Sequence, residues 1–250
     1  MTSPMPNIFD IKLIFTLIPK LLKYLPVTLE LTAISMLAGL LLGLLLAIIK
    51  MKRIPVLYQI SGLFISFTRG TPVLVQLYLS YAGIPLILKY YNYYHETSYN
   101  VNSISSIFYV LLALSLNEAA YNSEVIRAAL QSVDKGQIEA AHSLGMTYGQ
   151  VLRRIILPEA FIVALPTLGN ALIGLMKGTS LAFVCSVVEI TAQSRILAGN
   201  NLRFFESYCS LALIYWAMTI IIEQAIALLE KRLDIDFKSL RKRKGDVLLD

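Results

Sequence analysis

A carboxylate stands inside an apolar stretch of this sequence, and it is a strong candidate for binding chemistry. Glu118 follows Asn117 about eleven residues into the run 107–130, roughly 16 Å along a helix at about 1.5 Å per residue. A bare charge is costly in a bilayer, so this carboxylate is expected to face a pore, a partner subunit or a cation. The α-ammonium of an amino acid is one such cation. A hydrogen bond buried between two helices is the alternative interpretation.

A second polar group falls on the outer half of a later apolar run and at its exit. It consists of Asn170, Lys177, Thr179 and Ser180. The two hydroxyls in this group can donate hydrogen bonds to a carboxylate. Together with Asn117 and Glu118, these residues form the candidate substrate path.

Residues that could carry out catalysis are missing from the usual arrangements. Lys177-Gly178-Thr179 has its lysine before the glycine, so it is no phosphate loop. The two histidines, His95 and His142, are far apart, and Cys185 and Cys209 form no close pair. We therefore predict no catalytic residue, no metal ligand and no cofactor, and we expect a transport protein rather than an enzyme.

The composition places these residues in membrane-spanning helices. Hydrophobic residues make up 56% of the 250 positions and charged residues 15%, whereas soluble domains carry about 45–50% and about 25%. These proportions exclude a soluble domain and a disordered chain and predict an all-α polytopic membrane protein. Crossing a bilayer takes about 20 apolar residues. Five spans are predicted, at 31–49, 72–88, 107–130, 160–176 and 209–229.

Lys and Arg are concentrated in the segments that follow the first, third and fifth predicted spans. Because such residues accumulate on the cytoplasmic side, this bias predicts an outside N-terminus and an inside C-terminus. The basic run 241–244 is accordingly interpreted as a topology signal rather than a nucleic-acid site.

The segment between the third and fourth spans is too polar for the bilayer and is patterned as a short helix. Asp134 is a favourable N-cap residue, and Gln137 completes a capping box. Gly145 suits a left-handed C-cap, and Thr147 with Gln150 begins a second capped helix. Since so short a helix is marginal by itself, we predict that it docks on another protein. An ordinary amphipathic connector is the alternative.

Seven positions in and after this segment resemble the EAA signature of ABC-transporter membrane subunits. They are Glu139, Ala140, Ala141, Gly145, Ile155, Leu157 and Pro158. Further blocks resemble the polar-amino-acid (histidine/glutamine-type) uptake permeases. These blocks are Phe67-Thr68-Arg69-Gly70-Thr71-Pro72-Val73-Leu74-Val75-Gln76, Glu124-Val125-Ile126-Arg127, Lys177-Gly178-Thr179-Ser180-Leu181 and Glu189-Ile190-Thr191.

The resemblance implies the ABC type I importer permease fold, with five transmembrane helices, an outside N-terminus and an inside C-terminus. It also implies an ATP-driven, binding-protein-dependent amino-acid importer in a bacterial cell membrane. ATP and Mg²⁺ would then bind a separate ABC ATPase dimer, and this chain would bind no cofactor. The other implied partners are a second permease copy, identical or not, an extracytoplasmic substrate-binding protein and membrane lipid. An ATP-independent secondary transporter or channel is the alternative function.

In that family the short cytoplasmic helix seats in a cleft of the ATPase. The resemblance therefore assigns ATPase coupling to the helix and its flanks: Ile138, Glu139, Ala140, Ala141, Leu144, Gly145 and Pro158. Glu139 and Gly145 are the principal candidates. The two alanines are expected to let the partner approach closely, and Ile138 and Leu144 to offer apolar contacts.

The motif Arg69-Gly70-Thr71-Pro72 is interpreted as structural, with substrate contact as the alternative, and Glu124 and Arg127 are also interpreted as structural. Pro72 fits a first helical turn, where its missing N–H costs no hydrogen bond, and Thr71 is the predicted N-cap. Arg69 is expected to pair with lipid headgroups, with Glu124 or with the second permease copy.

The expected substrate is a neutral or polar L-amino acid. Gly178 departs from the family's frequent Asp, which disfavours arginine and lysine. The segment Val133-Asp134-Lys135-Gly136-Gln137 is similar to the corresponding segment of the cystine subgroup.

The predicted organisation is a single permease domain, 1–250, with a core of about 24–232. Residues 1–26 form an N-terminal interfacial segment, 132–157 the cytoplasmic coupling loop and 233–250 a basic cytoplasmic tail.

Overall fold

A computed structural model describes residues 9–233, and over this range the chain is helical with no strand. The predicted basic tail lies outside the described residues, apart from position 233. The helices are α1 (Ile11–Leu22), α2 (Leu25–Lys52), α3 (Leu57–Gly70), α4 (Val73–Tyr94), α5 (Ser106–Gln131), α6 (Lys135–Ser143), α7 (Tyr148–Cys185), α8 (Ile190–Asn201) and α9 (Phe204–Leu233). Wider π turns interrupt α4 at Leu79–Gly83 and α7 at Leu152–Ile156, and α7 ends in the 3₁₀ turns Thr179–Cys185.

Four of these helices, α2, α4, α7 and α9, are long and apolar enough to cross a membrane. They overlap four of the five predicted spans and extend beyond them, except that α4 begins one residue after the predicted start at Pro72. The remaining predicted span, 107–130, is the helix α5, whose 26 residues are also enough to cross a bilayer. It lacks the apolar composition of the other four.

The polar composition of α5 is explained by its position in the centre of the bundle. It packs against α2, α3, α4 and α7, and its Ser115, Glu118, Asn122 and Ser123 are buried among these neighbours. Polar side chains on such a helix can face protein rather than lipid. Mean hydropathy alone therefore does not identify a helix of this kind as a membrane span.

Close contact between α2 and α5 depends on two glycines. A Cβ built on Gly39 would lie 2.5 Å from Cβ of Glu118, and one on Gly43 would lie 3.1 Å from N of Ser123. Gly43 follows Gly39 by four residues, and Ser123 follows Glu118 by five, so α2 and α5 run in the same direction at this contact. Small residues at such positions allow helix backbones to approach closely.

The N-terminal helix α1 is amphipathic and packs on α9. Asp10 caps it, Ile14 and Leu17 are buried, and Ile11 and Phe15 are exposed. The predicted interfacial segment, 1–26, stays a prediction, and its residues 1–8 lie outside the described range.

Candidate functional site

The loop between α5 and α7 has the caps predicted at Asp134, at Gly145 and at Thr147 with Gln150, whereas the capping box predicted for Gln137 is not among the contacts of α6. The carboxylate of Asp134 accepts a hydrogen bond from N of Gly136 at 2.7 Å, which makes it the N-cap of α6. Gly145 has φ of +80°, a conformation that side chains with a Cβ disfavour. N of Thr147 donates to Oε1 of Gln150 at 2.9 Å. These contacts confirm an independently capped short helix at this place.

The two faces of α6 differ in exposure, which corrects one expectation for the coupling residues. Ile138 packs against the chain's own apolar cluster of Ala129, Val133, Ala160 and Ala164. Ala141, three residues further along α6, is only 4% exposed. Glu139, Ala140, Leu144 and Gly145 are exposed, Leu144 at 84%. Ala140 and Leu144 are therefore accessible to a partner. Ala141 and Ile138 instead face the rest of the chain.

Pro158 is exposed on α7, directly after the π turn Leu152–Ile156. A proline has no N–H to give to the carbonyl four residues earlier. The wider turn accommodates this missing donor while the helix continues.

Asn117 and Glu118 lie together, as predicted, in a cleft of about 390 Å³ between α4, α5 and α7. We call this the Glu118 cleft. Glu118 is 8% exposed and accepts a hydrogen bond from Nδ2 of Asn122 at 3.2 Å. Gly174 and Gly178 line the opposite wall, and neither has an atom within 4 Å of a built Cβ. The carboxylate is thus accessible from an open volume.

Gln76 connects the Glu118 cleft to the turn before α4, a role that sequence reasoning missed. Its Oε1 accepts from Nδ2 of Asn117 at 3.0 Å, and its Nε2 donates to O of Thr68 at 2.7 Å and to O and Oγ1 of Thr71 at 3.1 and 3.0 Å. The signal in the sequence was the amide side chain of Gln76 within the predicted apolar span 72–88.

The prediction that Thr71 is the N-cap of the second span is wrong. The N-cap is Pro72, and the helix begins at Val73. The hydroxyl of Thr71 donates instead to O of Phe67 at 3.0 Å, because the end of α3 supplies a carbonyl without a helical partner.

A second cleft, of about 590 Å³, lies between α2, α3 and α5 and is lined by charged side chains. We call it the Arg69 cleft. Glu124 is ion-paired there with Lys50 and with Arg127, the latter at 2.7 Å. Arg69 does not pair with Glu124; its guanidinium carbon lies 5.3 Å from the ring centroid of Tyr121. Of the three partners predicted for Arg69, the carboxylate is therefore excluded in this structure.

The remaining predicted path residues do not join Glu118. Lys177 and Ser180 line a separate cleft of about 530 Å³ with Tyr215, Trp216 and other residues of α8 and α9. Asn170 is exposed on α7. Thr179 is fully buried and its hydroxyl donates to O of Met176 at 2.7 Å, so its predicted place on the path is not supported. The 3₁₀ turns that end α7 direct it inward.

Glu189 is a buried connecting residue that was noted in the sequence only as part of a motif. Its carboxylate caps α8 by accepting from N of Thr191 and N of Ala192, both at 2.9 Å, and it also accepts from the hydroxyl of Tyr215 at 3.4 Å. Burial raises the pKa of the Glu189 carboxyl above its ordinary value. The residue stabilises the junction of α8 and α9.

The described residues contain no group of three or more His, Cys, Asp or Glu that could hold a metal ion. Their polar features are clefts among apolar helices, together with a capped helix at one end of the bundle. These features define a multi-pass helical membrane protein with a polar interior.

The chain belongs to the family described as binding-protein-dependent transport system inner membrane component, which matches residues 39–235. The probable amino-acid permease protein YxeN of Bacillus subtilis (strain 168) is 44% identical over 215 residues, 86% of this chain and 92% of the relative. The L-cystine transport system permease protein TcyL of the same organism is 36% identical over 229 residues, 92% of this chain and 93% of the relative. A crystal structure described as an amino acid ABC transporter with histidines has a TM-score of 0.75 and 34% identity, covering 90% of this chain and 99% of that chain.

Proposed function

We propose that this chain is the permease subunit of an ATP-driven, binding-protein-dependent importer of a neutral or polar L-amino acid in a bacterial cell membrane. Helices α2, α4, α5, α7 and α9 are its five spans, with the N-terminus outside and α6 in the cytoplasm. The observation that carries the proposal is the exposed, capped helix α6 in a chain that belongs to the binding-protein-dependent family.

The exposed face of α6 is the proposed contact with a separate ABC ATPase. Glu139, Ala140, Leu144 and Gly145 present one carboxylate, one small residue and one apolar side chain. A short helix with these side chains gains stability by docking in a groove. ATP and Mg²⁺ bind the ATPase in this proposal, and the permease itself binds no cofactor.

The Glu118 cleft is the proposed binding site for the amino acid. The Glu118 carboxylate supplies a partner for the α-ammonium, and about 390 Å³ lies within the usual size of small-molecule pockets. L-Cystine is a good first substrate to test because TcyL, named as an L-cystine permease, covers most of this chain.

Two permease copies related by a two-fold axis complete the proposed assembly. A single bundle of this size leaves Asn170 and Lys177 exposed on one side of α7. Polar side chains at membrane depth require a protein or aqueous neighbour, which a second copy provides. An extracytoplasmic binding protein delivers the substrate to this dimer.

The proposal is tested by reconstituting the chain in proteoliposomes with the ATPase and binding protein encoded beside it. We expect uptake of labelled L-amino acid that requires ATP and all partners, and that falls at least tenfold in Glu118→Gln. Downhill flux through this chain alone at the rate of the full complex would establish the alternative, a secondary transporter or channel.

Orientation is tested separately by thiol labelling of intact cells. In a Cys209→Ser background, which removes the partly exposed cysteine while Cys185 stays buried, Ser98→Cys is expected to react with an impermeant maleimide and Ser143→Cys is not. The reverse pattern would place α6 outside and contradict the proposed coupling.

A further inference from the structure

We propose that the Arg69 cleft is a second binding site for the transported amino acid, on the release side of Tyr121, where the Arg69 guanidinium receives the α-carboxylate. This inference depends on the proposed function, because it concerns the step after binding in the Glu118 cleft. It assigns a substrate contact to Arg69, for which the sequence analysis favoured a structural role, and a role to Tyr121, which the sequence analysis did not single out.

Tyr121 separates the two clefts. Its side chain lines both of them. The four residues of the turn before α4 are shared out between the two clefts. Arg69 and Gly70 line the Arg69 cleft, whereas Thr71 and Pro72 line the Glu118 cleft. The guanidinium carbon of Arg69, 5.3 Å from the Tyr121 ring centroid, covers the ring. The partition between the clefts therefore consists of the turn 69–72 and the Tyr121 side chain, which is in cation–π contact with Arg69.

The order of side chains along α5 gives the partition a direction. Glu118, Tyr121 and Glu124 follow one another at intervals of three residues, or about 4.5 Å along the helix axis. Lys50, which pairs with Glu124, is in the last turn of α2, the end that the charge bias places inside. A molecule leaving the Glu118 cleft toward that end meets Tyr121 and then the Arg69 cleft.

The charges of the Arg69 cleft suit an anionic group. Its carboxylate, Glu124, is shared by two cations, Lys50 and Arg127. Arg69 makes none of the ion pairs found among residues 9–233. A guanidinium offers a planar pair of N–H donors that matches a carboxylate.

The two clefts thus have complementary preferences for the two ends of an amino acid. The Glu118 carboxylate fits the ammonium, and Arg69 fits the carboxylate. A carboxylate that reaches past the edge of the Tyr121 ring from the Glu118 cleft draws the Arg69 guanidinium toward itself and weakens its contact with the ring, which frees the ring to move. The substrate itself then opens the partition, and a ligand without a carboxylate does not.

The test uses the complete reconstituted complex and a defined set of probes. Labelled L-cystine and the twenty common L-amino acids are first screened for ATP-dependent uptake by the wild type. The best transported acid is then compared with its carboxamide, which keeps the ammonium and lacks the carboxylate. Equilibrium binding to the purified complex and ATP-dependent turnover are measured for both compounds.

Arg69→Gln is expected to lower turnover of the acid at least fivefold, to change its equilibrium binding less than twofold, and to abolish the preference of turnover for the acid over the amide. Arg195→Gln is the matched control. It removes another arginine stacked on a ring, 4.3 Å from the centroid of Phe183, and is expected to leave all three quantities within twofold of wild type. Arg69→Lys serves if Arg69→Gln does not assemble; it keeps the charge but loses the planar donors, and its acid preference is expected to fall.

The outcomes separate this inference from the function on which it depends. Unchanged turnover and acid preference in the Arg69 variants, with binding abolished in Glu118→Gln, would overturn the second site and keep the proposed function. No uptake of any probe, or binding unaffected by Glu118→Gln, would overturn the proposed function and the second site with it.

Discussion

Gly39 is the position at which one added methyl group is expected to disturb both the fold and the Glu118 cleft. Its Cβ would lie 2.5 Å from Cβ of Glu118 and 3.3 Å from N of Ala119 and C of Glu118. Carbon atoms in contact lie about 3.5–4.0 Å apart. The variant Gly39→Ala therefore requires α2 and α5 to separate locally by about 1 Å, because the obstructing atoms include backbone that no rotamer change can move.

The size of the effect follows from two opposing contributions. Overpacking of this kind destabilises by about 1–3 kcal/mol, whereas alanine stabilises a helix interior by about 1 kcal/mol relative to glycine. The matched control is Gly199→Ala on α8, where a built Cβ meets no atom within 4 Å. There only the gain in helix stability from alanine applies. We expect Gly39→Ala to be less stable than Gly199→Ala by about 1–3 kcal/mol.

Thermal unfolding of the purified chain in detergent measures this difference. About 2–4 °C per kcal/mol gives a Tm for Gly39→Ala roughly 2–12 °C below that of Gly199→Ala, together with weaker binding of the amino acid at Glu118. A Tm for Gly39→Ala equal to or above that of the control would show that the α2–α5 contact is not as tight as described.

Three further predictions concern the caps and the polar network. Gln76→Leu takes the acceptor from Nδ2 of Asn117 and the side-chain donor from O of Thr68 and O of Thr71. It is expected to destabilise by about 1–3 kcal/mol and to weaken substrate binding; unchanged Tm and affinity would contradict this. Gly145→Val places a β-branched residue at φ of +80°, so substrate-stimulated ATPase activity of the complex is expected to be lost while the chain still inserts; normal stimulation would refute the coupling role. Burial raises the pKa of the Glu189 carboxyl in the folded protein. Once the pH exceeds the pKa of this carboxyl in the unfolded chain, about 4.3, its ionisation therefore lowers the stability of the fold. The Tm of wild type is therefore expected to fall relative to Glu189→Gln as pH rises from about 4.5, and a constant difference would contradict the raised pKa.

Local signals in the sequence were sufficient for the caps of α6 and for the identity of the apolar helices. Asp134 and Gly145 act through their own backbone neighbourhood, so their roles follow from residue type and spacing. The pair Asn117 and Glu118 lines one cleft, and its predicted place on the substrate path stays a prediction.

Roles that depend on tertiary packing were not predictable in this way. Thr179 carries the same hydroxyl as a path residue, and only the 3₁₀ turns at the end of α7 show that it points inward. The stacking of Arg69 on Tyr121 joins two helices far apart in sequence. The sequence did not show which alanine of α6 is exposed, because Ala140 and Ala141 have the same side chain.

The division between those two alanines makes a final prediction about how α6 acts on the clefts. Ile138 packs on a cluster that includes Ala129 of α5 and Ala160 of α7, so α6 is attached to the helices that line the Glu118 cleft. Ala141 is buried as well, at 4% exposure. Packed interiors transmit displacement because they have little free volume. Ala141→Leu overpacks this attachment at a cost of about 1–3 kcal/mol, and it is expected to keep ATPase association while reducing transport per ATP hydrolysed. Ala140→Leu alters the exposed face instead and is expected to weaken ATPase association, measured by co-purification. If both variants lost association equally, the buried face would have no separate role, and displacement of α6 would have to reach the clefts by another route.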